Sequence, residues 1–164
     1  MALAKIVSGG QTGVDRGALD AALNAGFPCG GWCPPGRCAE DGVIPQRYPM
    51  TELDRGGYSE RTLRNVLESD GTVILCRDEI EGGTGHTRDC CMARGKPLLV
   101  IDAAQAGTRK AGAEISAFIE RENIAALNVA GPRASKWPHA QDYAKAVLAL
   151  VLAPIATPRA SRPN

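Results

Sequence analysis

Aromatic residues and net charge are both scarce in this sequence. Only 4% of its 164 residues are Phe, Trp or Tyr, and the formal net charge at pH 7 is +1. A protein that binds nucleic acid usually offers a basic surface to the phosphates and aromatic rings to the bases. Neither feature stands out here, so we expect no nucleic-acid partner.

Long apolar segments and metal-binding spacings are missing as well. No apolar run approaches the roughly 20 residues needed to cross a bilayer, and the N-terminus has no separate apolar region like that of a signal peptide. Cys29, Cys33 and Cys38 do not follow zinc or iron–sulfur spacings, and no His lies near them. We therefore expect a cytoplasmic protein with free thiols, no membrane partner and no metal ligands of its own.

Two common nucleotide-binding motifs are also absent. The Walker A motif needs a Lys followed by Ser or Thr after its glycines, and no glycine loop here is followed by Lys. The dinucleotide fingerprint needs the spacing Gly-x-Gly-x-x-Gly and an acidic residue about 20 positions later. Neither glycine loop has that spacing, so we expect neither an ATP-binding P-loop nor bound NAD.

Strand-like and helix-like segments alternate along the chain. The apolar patterns predict five strands and five helices; the strands are 4–8, 27–32, 72–76, 97–101 and 124–129, and the helices are 13–25, 60–69, 86–94, 111–122 and 138–152. This alternation predicts an α/β fold, a Rossmann-like three-layer sandwich with a mainly parallel sheet of about five strands. We expect a single ligand-binding domain over 1–153, an ordered loop over 33–58 and a disordered tail over 154–164.

Two glycine-rich loops, 8–13 and 81–85, each follow a predicted strand and lead into a predicted helix. Glycines let the backbone approach a ligand closely, and a helix N-terminus attracts an anion. The loops therefore predict a phosphate site, whose candidate residues are Gly9, Gly10, Gln11, Thr12, Gly13, Gly82, Gly83, Thr84 and Thr87. The alternative is that the glycines only form turns and that the threonines only cap helices, Thr12 pairing with Asp15 in a capping box.

A second group of candidates surrounds these loops. Trp32 is suited to stacking on a flat ring, Arg37 to pairing with phosphate, and Glu40 and Asp41 to accepting ligand hydrogen bonds. His86 stands beside the second glycine loop as a ligand contact. The alternative for each is a packing role or a self-paired surface loop. No nucleophile with a base and an orienting residue is visible, which favours a binding protein over an enzyme.

Three motifs carry a resemblance to a known family. The segments SGGQTGVDR (8–16), GWCPPGRCAEDG (31–42) and GGT (82–84) resemble the molybdenum cofactor carrier proteins, over roughly residues 5–152. The resemblance implies a cytoplasmic homodimer or homotetramer that binds molybdenum cofactor, a phosphate-bearing pyranopterin whose dithiolene holds molybdenum. It also implies that molybdoenzymes receive this cargo.

A more distant resemblance leaves a second function open. The segment GGTG (82–85) is similar to the phosphate loop of lysine-decarboxylase-like phosphoribohydrolases, which cleave nucleoside monophosphates. Our leading hypothesis is a carrier for a small phosphorylated ligand. The alternative is a nucleotide sensor or hydrolase that uses one of four carboxylates, Asp15, Glu40, Asp41 or Asp89. A third reading is an oligomeric scaffold whose glycine loops are only turns.

Overall fold

Residues 2–155 are described by a computed structural model of the chain. Six parallel strands form its central sheet: β1 Lys5–Val7, β2 Cys29–Cys33, β5 Met50–Glu52, β6 Gly71–Cys76, β7 Leu98–Asp102 and β8 Ala126–Ala130. The strand order is β5-β2-β1-β8-β6-β7. Two further short strands, β3 Cys38–Ala39 and β4 Gly42–Val43, form a separate antiparallel hairpin.

Five helices cover the two faces of this sheet: α1 Val14–Asn24, α2 Tyr58–Leu67, α3 Gly82–Ala93, α4 Thr108–Glu122 and α5 Ala140–Leu152. Helices α1, α4 and α5 pack against one another on one face, while α2 and α3 pack together on the other. The predicted α/β Rossmann-like sandwich is therefore confirmed. None of the helices within 2–155 is both long and apolar enough to cross a membrane.

The two faces of the sheet differ in polarity. The main apolar core lies under α1, α4 and α5 and includes Ile6, Leu127 and Phe118. The opposite face has only a small apolar cluster of Val66, Cys90 and Cys91. Beside this cluster lie several buried polar side chains, namely Arg61, Thr62, Asn65, Thr72, Thr84, Thr87 and Asn128. Buried polar groups need partners, so a polar face of this kind is suited to a ligand.

Strand β5 was not predicted, because it lies inside the segment 33–58 that we expected to be a loop. Met50–Glu52 is only three residues long and is partly or fully exposed, so it carries no apolar pattern. It pairs in parallel with β2 at the edge of the sheet, which raises the strand number from about five to six.

Several helix starts also differ from the prediction, and α4 begins at Thr108 rather than at residue 111. Helix α2 begins after Gly57, not after Ser59, and Glu60 accepts a hydrogen bond from the Gly57 N–H at 2.7 Å. Helix α3 begins at Gly82, so the predicted second glycine loop forms the first turn of the helix itself.

The expected capping box of α1 is also wrong. Gly13 is the N-cap and makes no side-chain cap. Asp15 instead accepts a hydrogen bond from the Gln11 N–H at 3.2 Å, within the loop before the helix. The carboxylate is therefore free of a capping role and belongs to the floor of the loop.

The predicted disordered tail, 154–164, falls mostly outside the described residues, since 156–164 are not among them. Its first two residues continue α5 as a turn, in which the Ile155 N–H donates to the Leu152 carbonyl oxygen at 3.0 Å.

Candidate functional site

A pocket of about 680 Å³ opens at the carboxyl ends of β1, β6 and β8. Its walls come from the loop after β1, the first half of α2, the first turn of α3, and the connections β6–α3 and β8–α5. Parallel α/β sheets bind ligands at this edge, where neighbouring strands send their connections to opposite sides. The pocket lies on the polar face of the sheet.

One wall is the first turn of α3. A Cβ atom at Gly82 or Gly83 would meet no atom within 4 Å, and the φ angle of Gly82 is +53°. The first helical hydrogen bond runs from the Gly85 N–H to the Glu81 carbonyl oxygen at 3.1 Å, so the N–H groups before it have no acceptor in the helix. This open, glycine-lined helix N-terminus is suited to an anion.

The facing wall contains a buried ion pair. Arg61 Nη1 donates to the Gly9 carbonyl oxygen at 2.9 Å and lies 3.6 Å from Asp15 Oδ2. A Cβ atom at Gly9 would lie 2.0 Å from that nitrogen, so a side chain at position 9 would displace the guanidinium from this position. Burial raises the pKa of Asp15 to about 6, although Arg61 and the Gln11 N–H both oppose this rise.

Charged side chains surround the mouth of the pocket. Lys136 Nζ lies 3.5 Å from Glu81 Oε1, and Arg133 Nε lies 3.5 Å from Glu40 Oε2. Arg77 also lines the pocket, and it forms no ion pair with any residue of 2–155. Because Glu79 and Glu81 line the same mouth and two of the cations are paired with carboxylates, the charge around the mouth is mixed.

Two further side chains complete the lining. Trp137 is buried, its ring packs against Tyr143 with centroids 5.3 Å apart, and its Nε1 has no hydrogen-bond partner within the described range 2–155. His86 Nε2 lies 3.4 Å from the Ser59 carbonyl oxygen, which ties the first turn of α3 to that of α2. Among residues 2–155, no three His, Cys, Asp or Glu side chains are grouped as a metal site would require.

Half of the predicted site residues line this pocket. The structure brings together Gly9, Gln11, Gly82, Gly83, Thr84, His86 and Thr87. Thr87 is already engaged, because its hydroxyl donates to the Gly83 carbonyl oxygen at 3.1 Å. The other seven, which do not line the pocket, are Gly10, Thr12, Gly13, Trp32, Arg37, Glu40 and Asp41.

Arg37 and Asp41 are used within the protein. The Arg37 guanidinium donates to the carbonyl oxygens of Ile44, Pro45 and Tyr48, at 2.8 to 3.1 Å. Asp41 pairs in bidentate fashion with Arg16, and the Nη2–Oδ1 distance is 2.8 Å. Both side chains therefore hold the segment 33–58 in place, and neither offers its charge to the pocket.

Glu40 and Thr12 belong to a hydrogen-bond network behind the pocket wall. The Thr12 hydroxyl donates to Glu40 Oε1, and Ser135 Oγ donates to Glu40 Oε2 at 2.6 Å. Thr12 Oγ1 also accepts from the Ala134 N–H at 3.0 Å. This network joins the β3–β4 hairpin to the β8–α5 connection, so these residues support the site from outside.

The remaining three residues serve turns and packing. Gly10 and Gly13 have φ angles of +76° and +82°, and a Cβ atom at Gly13 would lie 2.4 Å from the Pro132 carbonyl oxygen. Trp32 lies on β2 away from the pocket, where its Nε1 donates to Glu68 at 2.6 Å and the Arg64 guanidinium lies 4.3 Å from its ring.

Sequence reasoning missed several pocket residues that α2 and the connections β6–α3 and β8–α5 supply, chiefly Arg61, Asn65, Arg77, Lys136 and Trp137. A signal existed for two of them. Arg61 and Asn65 are four residues apart and are buried on the same side of α2 as Val66. Polar residues on the buried side of a helix need partners and mark functional or structural networks. The other three follow strands at positions that carry no pattern.

Comparison with known proteins places this geometry in a family. The chain matches the circularly permutated YpsA SLOG family over residues 6–152. It is also 41% identical to a protein from Syntrophus aciditrophicus SB whose crystal structure is described as that of a putative molybdenum carrier protein. The two structures have a TM-score of 0.89, over 92% of this chain and 96% of the other. No curated protein matches this chain. The chain belongs to the circularly permutated YpsA SLOG family.

Proposed function

We propose that this protein binds a phosphate-bearing small molecule in the pocket, and that the molecule is molybdenum cofactor, carried or stored for molybdoenzymes. One observation carries the proposal: the open first turn of α3, with Gly82 and Gly83 facing empty space, forms a wall of a pocket of about 680 Å³. The 41% identical relative described as a molybdenum carrier supports the choice of cargo.

The lining is compatible with such a cargo. The volume lies within the range of roughly 300–1,000 Å³ that small-molecule sites occupy. The first turn of α3 would hold the phosphate, and the polar side chains of the facing wall would contact the organic part. None of the six cysteines lines the pocket. We therefore expect the sulfur atoms of the cargo, not those of the protein, to hold the molybdenum.

Native mass spectrometry tests the cargo directly. The protein is purified from a host that makes molybdenum cofactor and from one that cannot, and molybdenum is measured on the same samples. We expect a pterin mass with stoichiometric molybdenum from the first host only, on a homodimer or homotetramer. Empty protein from both hosts, or a bound nucleotide without metal, would contradict the carrier function.

A charge variant tests the place of binding. Gly83→Asp puts a carboxylate into the open space at the first turn of α3 without a steric clash, and we expect it to abolish retention of the cargo by repelling the phosphate. Gly83→Asn has the same shape without the charge and should retain most binding. Gly107→Asp places an acid at the N-cap of α4, also in open space but outside the pocket, and should bind like the wild type.

One observation favours a second candidate function. Of the four carboxylates considered for hydrolysis, Asp15 alone lines the pocket, and its raised pKa of about 6 lets it hold a proton near neutrality. A carboxyl group with such a pKa can act as a general acid on a glycosidic bond. If the protein is a phosphoribohydrolase, it should release free base from nucleoside monophosphates, and Asp15→Asn should stop that release. No turnover and no binding across the common nucleotides would remove this candidate.

A further inference from the structure

Arg61 occupies an unusual place for a cation. It is about nine-tenths buried, at 9% relative exposure, and it lines the pocket from the second turn of α2. Its position is fixed by the hydrogen bond from Nη1 to the Gly9 carbonyl oxygen and by the Tyr58 ring, whose centroid lies 5.5 Å from the guanidinium carbon. Burying a charged group costs free energy unless an opposite charge and hydrogen bonds compensate it.

The guanidinium is only partly satisfied by the protein. An arginine has five N–H donors. Nη1 is engaged with Gly9 and Asp15, Nε is buried without a hydrogen-bond partner, and Nη2 makes no hydrogen bond to residues 2–155. Native proteins leave few polar groups unpaired, and of these two nitrogens it is Nη2, not the fully enclosed Nε, that a ligand in the pocket could reach. An oxyanion is the acceptor that a guanidinium matches best.

Among residues 2–155, Asp15 is the only carboxylate that forms an ion pair with this arginine. Its distance of 3.6 Å from Arg61 Nη1 is longer than a hydrogen bond, so the pair is loose. An anion bound to Arg61 would compete with Asp15 for the positive charge. The ionised form of Asp15 would then lose part of its compensation in a buried site, and protonation would relieve it.

We propose that Arg61 is the residue that binds an anionic group of the ligand on the wall facing α3, and that Asp15 takes up a proton when this group binds. This inference rests on the proposed function, because it assumes that the pocket holds an anionic ligand. It adds that the ligand offers an acidic or oxyanion group to Arg61 as well as its phosphate to α3. Affinity should therefore rise as the pH falls.

Other charged groups face the pocket and must be separated from Asp15. Arg16 on α1 contributes to the field at Asp15. His86 faces the pocket from α3, and the rim contributes Arg77, Glu79, Glu81, Arg133 and Lys136. His86 is the only histidine among these groups, so the variant His86→Gln is included to remove its contribution.

Calorimetric titration with sulfate tests the inference, because sulfate is a phosphate-like anion whose own charge is constant between about pH 5 and 8. Titrations in buffers of different ionisation enthalpy give the number of protons taken up. We expect wild type and His86→Gln to take up a fraction of a proton per sulfate near pH 7 and to bind more tightly at lower pH. Asp15→Asn should bind with no proton uptake and little pH dependence.

Two further variants locate the anion. Arg61→Gln should weaken sulfate binding at least about tenfold, as expected for the loss of a charged hydrogen-bond partner. Arg64→Gln lies one turn along α2, outside the pocket, and should bind like the wild type. Because Arg61 is buried, circular dichroism must first show that Arg61→Gln is folded. If it is not folded, the proton uptake measured with Asp15→Asn tests the inference instead.

The possible failures are distinguishable. Sulfate binding that Gly83→Asp weakens, but that neither Arg61→Gln nor Asp15→Asn alters, would overturn this inference and leave the proposed function intact. Proton uptake that persists in Asp15→Asn would also overturn it. If sulfate does not bind and Gly83→Asp retains molybdenum cofactor like the wild type, both proposals fail together.

Discussion

At the scale of single residues, the energetics of the pocket are dominated by Asp15 and Arg61. Asp15 is a carboxylate on the first turn of α1 with 6% relative exposure. Its partners include the Gln11 N–H at 3.2 Å, Arg61 at 3.6 Å and the Ser8 side chain. These partners do not fully replace water, because the net effect on the pKa of Asp15 is a rise. The folded chain therefore binds a proton at Asp15 more tightly than the unfolded chain does.

This cost predicts how stability depends on pH. The pKa of Asp15 is about 6 in the folded chain and 3.8 for an unperturbed Asp, so its contribution to the free energy of unfolding is lost as pH rises from about 4 through about 6. The variant Asp15→Asn has no carboxyl group to ionise at this position, so its free energy of unfolding should not fall for this reason as the pH rises. In urea unfolding, the variant should gain on the wild type by up to about 3 kcal/mol between pH 4 and 7.

An exposed carboxylate provides the control for this pH dependence of stability. Asp54→Asn removes an exposed carboxylate from the loop after β5 and should follow the wild-type curve at every pH. A difference between Asp15→Asn and wild type that stays constant from pH 4 to 7 would mean that Asp15 has the same proton affinity in the folded and unfolded chains.

At the scale of elements, the site depends on how closely α1 approaches α5, because both helices start at the pocket edge of the sheet. Gly17 allows that approach: a Cβ atom there would lie 2.3 Å from the Gln141 carbonyl oxygen and 2.8 Å from Ala144 Cβ. Gly17→Ala adds a better helix former, worth up to about 1 kcal/mol in an open helix. The contact should outweigh this and lower the free energy of unfolding by about 1 to 3 kcal/mol.

Gly85 provides the matched control in α3. A Cβ atom there would be at ordinary contact distance, 3.9 Å from both Arg88 Nη2 and Ile80 Cγ2, so Gly85→Ala should leave stability unchanged or raise it. Chemical unfolding of the two variants beside the wild type measures both effects. Equal stabilisation by the two alanines would show that α1 and α5 can separate without cost.

The elements also show what sequence reasoning can reach. The alternation of apolar segments predicted the helices and the long strands, because a strand such as Gly71–Cys76 is buried throughout and most of its residues are apolar. It missed β5, whose three residues are paired but hardly buried. The glycine pattern located both sides of the pocket, yet it could not say that Gly9 makes room for Arg61, a residue 52 positions away. Such pairings depend on tertiary contacts.

The same limit applies to the segment 33–58. Its Arg37, Glu40 and Asp41 have the residue types of a ligand site, but the fold provides each with protein partners: backbone carbonyl groups, the Thr12 and Ser135 hydroxyls, and Arg16. The sequence showed which residues are polar and how they are spaced. It did not show which of them the protein itself satisfies.

At the scale of the whole molecule, both layers of helices and the loops that lead into them contribute to the walls of the pocket. Its walls come from α2 and α3 on one face, and from the loops that lead into α1 and α5 on the other. A ligand that bridges these walls binds only the folded chain. It should therefore stabilise the entire chain, by about 2.7 kcal/mol at a concentration 100 times its Kd.

This linkage gives a prediction for thermal unfolding in inorganic phosphate. A gain of that size should raise the Tm of the wild type by about 5–10 °C for a chain of this length. Phosphate also stabilises proteins in general because it is excluded from their surfaces. A rise in the Tm of the wild type alone would therefore not demonstrate specific binding. Gly83→Asp should show only the general effect, while Gly107→Asp should show the full rise. Equal rises in all three would mean that phosphate stabilises this fold without occupying the first turn of α3.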